Sequence, residues 1–234
     1  MNAKEFQTQN YFIVLIDLLR DRQSFLEEIR QGVRLKSKII ALLVCSSLCF
    51  AIYGAIIGLY HSVPQSLSAA IKLPCLYLLT LLICLPTLYI FNIFFGSDRS
   101  LTQHFIIVLT AASVISALLL GFAPVTLFFL ITTDNYQFFK LLNVAIFVLT
   151  GVIGIQFLYQ GMQLVSEQDT EGKLARTRIL KFWLLLYGFV GSQLGWIIRP
   201  IFGTPTQPFQ LFREMQGNVY LDIVNAIAEI LGFK

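Results

Sequence analysis

The feature that most constrains this chain is the spacing of its apolar residues. They come in blocks of about twenty, parted by short polar stretches, which is the length a helix needs to cross a hydrocarbon core of about 30 Å. Backbone polar groups inside lipid must bond within their own segment, and an isolated run of this kind can do so only as a helix. Composition agrees: 56% of the 234 residues are hydrophobic and 13% charged, with a mean hydropathy of +0.74, against about 25% charged in a soluble domain. The expected fold is therefore an all-α, polytopic transmembrane helix bundle of about five spans, flanked by amphipathic N- and C-terminal helices.

The pattern predicts spans at Ile39–Tyr60, Leu73–Phe95, Phe105–Thr132, Leu141–Tyr159 and Leu180–Ile198. It divides the chain into an interfacial region over residues 1–38, the membrane bundle over 39–198 and a cap over 199–234. The third block holds Gly121 and Pro124, so it is either one kinked span or two shorter pieces. Charge bias favours one span. With the N-terminus cytosolic, five crossings put twelve Lys and Arg residues on the cytosolic side and five on the other, as the positive-inside rule requires, and leave the C-terminus opposite.

In the N-terminal region Phe12, Ile16 and Leu19 share a helical face, and Ser24 with Glu27 forms a capping-box pattern that would start a second helix. After the fifth span, Pro200, Gly203, Pro205 and Pro208 turn the chain. Phe202, Phe209, Leu211 and Phe212 should bury it against the bundle as a cap. Arg199 and Arg213 are expected at headgroups or helix ends, and Tyr220, Ile223, Ile227 and Ile230 form the stripe of a terminal amphipathic helix. Trp183 and Trp196 stand 13 residues apart, a spacing that suits the two aromatic belts.

Small residues mark where helices meet. Gly54 and Gly58, and Gly191 and Gly195, each follow the G-x-x-x-G spacing that lets backbones approach closely; Gly151 with Gly154, and Ala112 with Ser116, serve similarly. Chemistry is much less visible. No ionisable residue stands in the middle of a predicted span, which argues against proton coupling. The intramembrane polar candidates are Asn92, Asn143, Gln156 and Gln193. His61 and His104 each stand alone at a predicted boundary, where pigment or haem ligation is the minor alternative to a solvated role. The four cysteines read as small buried hydrophobes. No catalytic, metal or nucleotide motif is present, no cofactor is expected, and the dispersed positive charge gives nucleic acid no basic face.

The segment Ser192-Gln193-Leu194-Gly195-Trp196 with Arg199-Pro200, Gly203, Pro205, Pro208-Phe209 and Phe212-Arg213 resembles a family of poorly characterised bacterial multi-span proteins, seen in cyanobacteria among others. The likeness extends to Lys72-Leu73-Pro74, Pro86 and Asn92. In layout the chain is also similar to the Yip1-type membrane trafficking proteins. The first resemblance implies a bacterial inner or thylakoid membrane and brings no settled activity. The expected function is that of a non-enzymatic integral membrane protein acting by association, as an assembly, scaffold or accessory subunit, with lipid and a membrane protein or a second copy as partners. The alternative is a channel or facilitator for a small or apolar solute, with the four polar candidates lining its path.

Overall fold

Among the described residues the long apolar blocks are helical. The computed structural model describes residues 11–94, 100–165, 173–203, 208–212, 223–225 and 227–228. Its seven principal helices are α1 (Tyr11–Arg20), α2 (Arg22–Arg30), α3 (Leu35–Gly58), α4 (Val63–Phe94), α5 (Leu101–Thr132), α6 (Tyr136–Val165) and α7 (Lys173–Ile197), and no strand occurs among the described residues. Helices α3, α4, α5 and α6 are each long and apolar enough to cross a membrane; the chain is a helical membrane protein. At 25 residues α7 reaches about 37 Å, but it is less apolar than these four.

Several helices are longer than the apolar blocks. The α4 helix begins at Val63, ten residues before the expected start at Leu73, and runs through Pro74 and Pro86; each proline removes one backbone hydrogen bond and leaves the rest of the helix intact. The question raised by Pro124 is resolved in favour of one span, since α5 is continuous from Leu101 to Thr132. Its 32 residues extend about 48 Å, which exceeds the hydrocarbon thickness. Its start is set by a reciprocal capping box, Ser100 accepting from the Gln103 backbone and Gln103 from the Ser100 backbone. The box expected at Ser24 and Glu27 does not form. Asp21 caps α2 by accepting from the Ser24 N–H at 3.1 Å, while Glu27 pairs with Arg30 at 2.7 Å; the carboxylate of Asp21 is the better acceptor.

The five long helices alternate in direction. One end of the bundle carries α1 and α2, and the other carries the turn at Leu59–Ser62 and the segment after α7. In α1 the buried residues are Val14, Leu15 and Leu18, while the face that carries Phe12, Ile16 and Leu19 is exposed. Phe25, Leu26 and Ile29 of α2 join Leu42 and Cys45 of α3 and Ile106 and Leu109 of α5 in one apolar core. Gln103 donates to the carbonyls of Ile29 and Arg30, fastening α2 to α5.

Backbone meets backbone closely between α3 and α4. A Cβ on Gly54 would lie 2.5 Å from the Ala69 carbonyl oxygen, and one on Gly58 would lie 2.7 Å from Ser66 Cα. Both partners are backbone and cannot rotate away. Ser66 adds a hydrogen bond to the Ala55 carbonyl at 2.9 Å. A β-carbon at Gly151, in contrast, would meet nothing within 4 Å. Gly54→Ala should therefore lower stability by about 1–3 kcal/mol or more as the hairpin is forced apart, whereas Gly151→Ala should be neutral or gain up to about 1 kcal/mol in helix propensity. Thermal unfolding of the two variants in one detergent checks the contrast.

Candidate functional site

The bundle interior holds a polar network that ties three helices together. Tyr53 of α3 donates its single hydroxyl proton to Asn143 Oδ1 of α6 at 2.7 Å. The second bond of that hydroxyl, 3.2 Å to Thr126 of α5, must then take its proton from the threonine. Asn143 uses its amide to reach the Phe139 carbonyl. All three side chains are buried. Helix α5 buries three further small hydroxyls: Thr110, Ser113 and Ser116 each bond a carbonyl of their own helix.

The other predicted polar residues lie apart from this network. Asn92 bonds the Leu88 carbonyl of its own helix, Gln156 is exposed and Gln193 is half-buried on α7. The four do not line one path. His104 is buried against Tyr89 with Nδ1 at 3.1 Å from the Ser100 carbonyl, and His61 pairs with Ser62. No group of three metal-ligating side chains occurs among the described residues. Of the cysteines, Cys45, Cys49 and Cys84 are buried as expected, while Cys75 is exposed. The glycines divide: Gly54 and Gly58 make backbone contact with α4, and Gly154 faces Ile115 of α5. Gly191 and Gly195 meet Thr80 and Leu76 of α4 only at ordinary van der Waals distance.

Trp183 is not a belt residue. It is among the largest fully buried side chains, and its indole N–H donates to the Cys84 carbonyl at 2.9 Å. That carbonyl belongs to α4 upstream of a run that includes Pro86, so the tryptophan locks α7 to α4. Trp196 is half-buried, with the Arg199 guanidinium stacked 3.8 Å from its ring centre.

At the same end of the bundle the segment after α7 returns across α4. Gln65 donates to the carbonyls of Pro200 and Ile201 at 2.8 and 3.0 Å. Lys72 is buried; its ammonium donates to the Pro200 carbonyl at 3.1 Å and to that of Leu211, and lies over the Phe212 ring. Gly203 fits against His61 where a Cβ would come within 2.7 Å of the His61 Cβ and 2.8 Å of its ring, and its positive φ of 71° suits a residue without one. Phe202 packs edge-on to Phe147. The expected burial of Phe209, Leu211 and Phe212 is not found: all three are exposed, because the strap is held by its carbonyls rather than by these side chains. Ile223 is half-buried and Ile227 exposed in a short helical stretch, while Arg213, Tyr220 and Ile230 lie outside the described residues.

At the opposite end, α1, α2 and the start of α3 enclose a cleft of about 310 Å³ lined by Asp17, Arg20, Asp21, Glu28, Arg34 and Lys38 among others. Lys38 is buried, paired with Glu28 at 2.6 Å and placed over the Phe25 ring. Arg34 stands at the N-cap of α3 with φ 51°. In the sequence Arg34, Lys36 and Lys38 stand together as a short basic run. The acidic wall was legible only once α1 and α2 were known to fold back on α3.

No known protein family, curated protein or solved structure matches this chain.

Three outcomes follow from these contacts. Asn143→Leu should cost about 1–3 kcal/mol by stranding the Tyr53 hydroxyl, and the double variant Tyr53→Phe, Asn143→Leu should recover part of that loss in thermal unfolding. Lys72→Met should free the strap, so that limited proteolysis cleaves after residue 203 faster than in the wild type. Deleting residues 203–234 should lower the unfolding temperature.

Proposed function

We propose that this protein acts by association within the membrane, as an assembly, scaffold or accessory subunit whose work is to pack against another membrane protein. The observation that carries this reading is the outer side of α7. That helix is fastened principally to α4, through Trp183 and the Gly191 contact with Thr80. Its opposite side presents Phe182, Leu185 and Phe189, with Leu185 73% exposed, around Gly188, where a Cβ would meet nothing within 4 Å. Gly188 and Ser192 lie four residues apart, the small-residue spacing that admits a second helix closely. Helix α7 is also the least apolar of the five long helices, a composition that gains more from a protein neighbour than from lipid.

The charge bias supports an N-terminus on the cytosolic side, and with α7 as a fifth crossing the C-terminus lies on the other. The resemblance of the 192–213 segment to bacterial multi-span proteins supports a bacterial inner or thylakoid membrane.

A photo-crosslinking residue placed at Leu185 in native membranes, followed by mass spectrometry, tests the reading. A reproducible adduct is expected, and Gly188→Leu should abolish it while leaving the unfolding temperature within about 2 °C of wild type, since that site touches nothing within the chain. A monodisperse monomer that yields no reproducible adduct would sink it.

A further inference from the structure

We infer that the cleft between α1, α2 and the start of α3 is a binding site for a zwitterionic phosphoethanolamine group, a phosphate ester with an ammonium two carbons away. The argument begins with charge. The six ionisable residues on its walls are three acids, Asp17, Asp21 and Glu28, and three bases, Arg20, Arg34 and Lys38. A wholly anionic ligand would meet three carboxylates, and a simple cation three positive groups. A ligand carrying both charges close together matches both sets, because ionised hydrogen bonds of either sign are then satisfied at once.

These groups are also differently committed. Lys38 and Glu28 bond each other, and Asp21 caps α2. Asp17, Arg20 and Arg34 form no side-chain hydrogen bond or ion pair within the described residues, and all three are exposed. One carboxylate and two guanidiniums are thus available, a set that suits one ammonium and one doubly contacted phosphate.

Position then selects the source. The cleft sits at the first turn of α3, where the polar residues Lys36 and Lys38 give way to the apolar run from Ile39, which is where a headgroup lies. The outer face of α1 beside it is apolar, with Phe12, Ile13, Ile16 and Leu19 all exposed; it offers a surface to acyl chains while the headgroup occupies the cleft. A volume of about 310 Å³ stands at the low end of ligand pockets, enough for a headgroup and too small for a whole lipid.

The full-length protein in mild detergent provides the test, with thermal unfolding read against three probes: dihexanoyl phosphatidylethanolamine, dihexanoyl phosphatidylglycerol and O-phosphoethanolamine. The ethanolamine lipid should raise the midpoint saturably, at concentrations at least tenfold below those the glycerol lipid needs. Asp17→Asn and Arg34→Gln, both at exposed positions, should each weaken that response about tenfold without moving the midpoint of the lipid-free protein by more than a few degrees. A response to O-phosphoethanolamine equal to that of the lipid keeps the site and assigns it to a soluble ligand. Equal responses to the two lipids, or unchanged responses in both variants, would show ordinary annular lipid and overturn the inference.

Discussion

The close backbone contact between α3 and α4 is the constraint on which the rest of the bundle depends. Gly54 and Gly58 let the carbonyls of Gln65 and Ala69 approach to distances that no side chain would allow, and this fixes the angle at which the 32-residue α4 leaves the hairpin. Everything attached to α4 inherits that angle. Trp183 reads the position of the Cys84 carbonyl, and Gln65 and Lys72 read the positions of Pro200 and Ile201. Van der Waals packing between bare backbones is the natural driving force here, since apolar surface alone does not distinguish a neighbouring helix from lipid.

On the other side of α3, the arrangement depends on hydrogen bonds. Tyr53, Thr126 and Asn143 make a small set in which both hydroxyl protons and one amide proton of Asn143 have an acceptor. Such a set fixes rotation as well as distance, because turning any of the three helices breaks a bond with no water to replace it. Glycine contact on one face and a polar lock on the other give α3 its central place.

How much of this was legible in the sequence follows from what each pattern encodes. Apolar block length identified the four helices long and apolar enough to cross, and the Gly54 and Gly58 spacing marked a real contact. In α1 periodicity marked the exposed face of Phe12, Ile16 and Leu19 and missed the buried set Val14, Leu15 and Leu18; a helix between protein and lipid is apolar towards both. Helix ends were misjudged at Lys72 and Lys140, because a lysine reads as a loop residue although a helix longer than the bilayer carries such residues in its outer turns. Trp183 was assigned to a belt because aromatic spacing says nothing of what lies beside the helix. The charged cleft was invisible for a related reason: its lining, all within residues 14–38, comes together only when α1 and α2 fold back on α3.

The burial of Lys72 sets an order of events during synthesis. Its carbonyl partner Pro200 lies 128 residues further along the chain. At about 5–20 residues per second, roughly 6 to 26 seconds separate the appearance of the two. Throughout that interval α4 is in place with an ammonium near its first turns and no partner for it, a group that water or lipid phosphate must serve in the meantime. The end of the bundle bearing Lys72 therefore stays open to its surroundings until Pro200 has been made, and the strap closes it only after α3 to α7 have been synthesised.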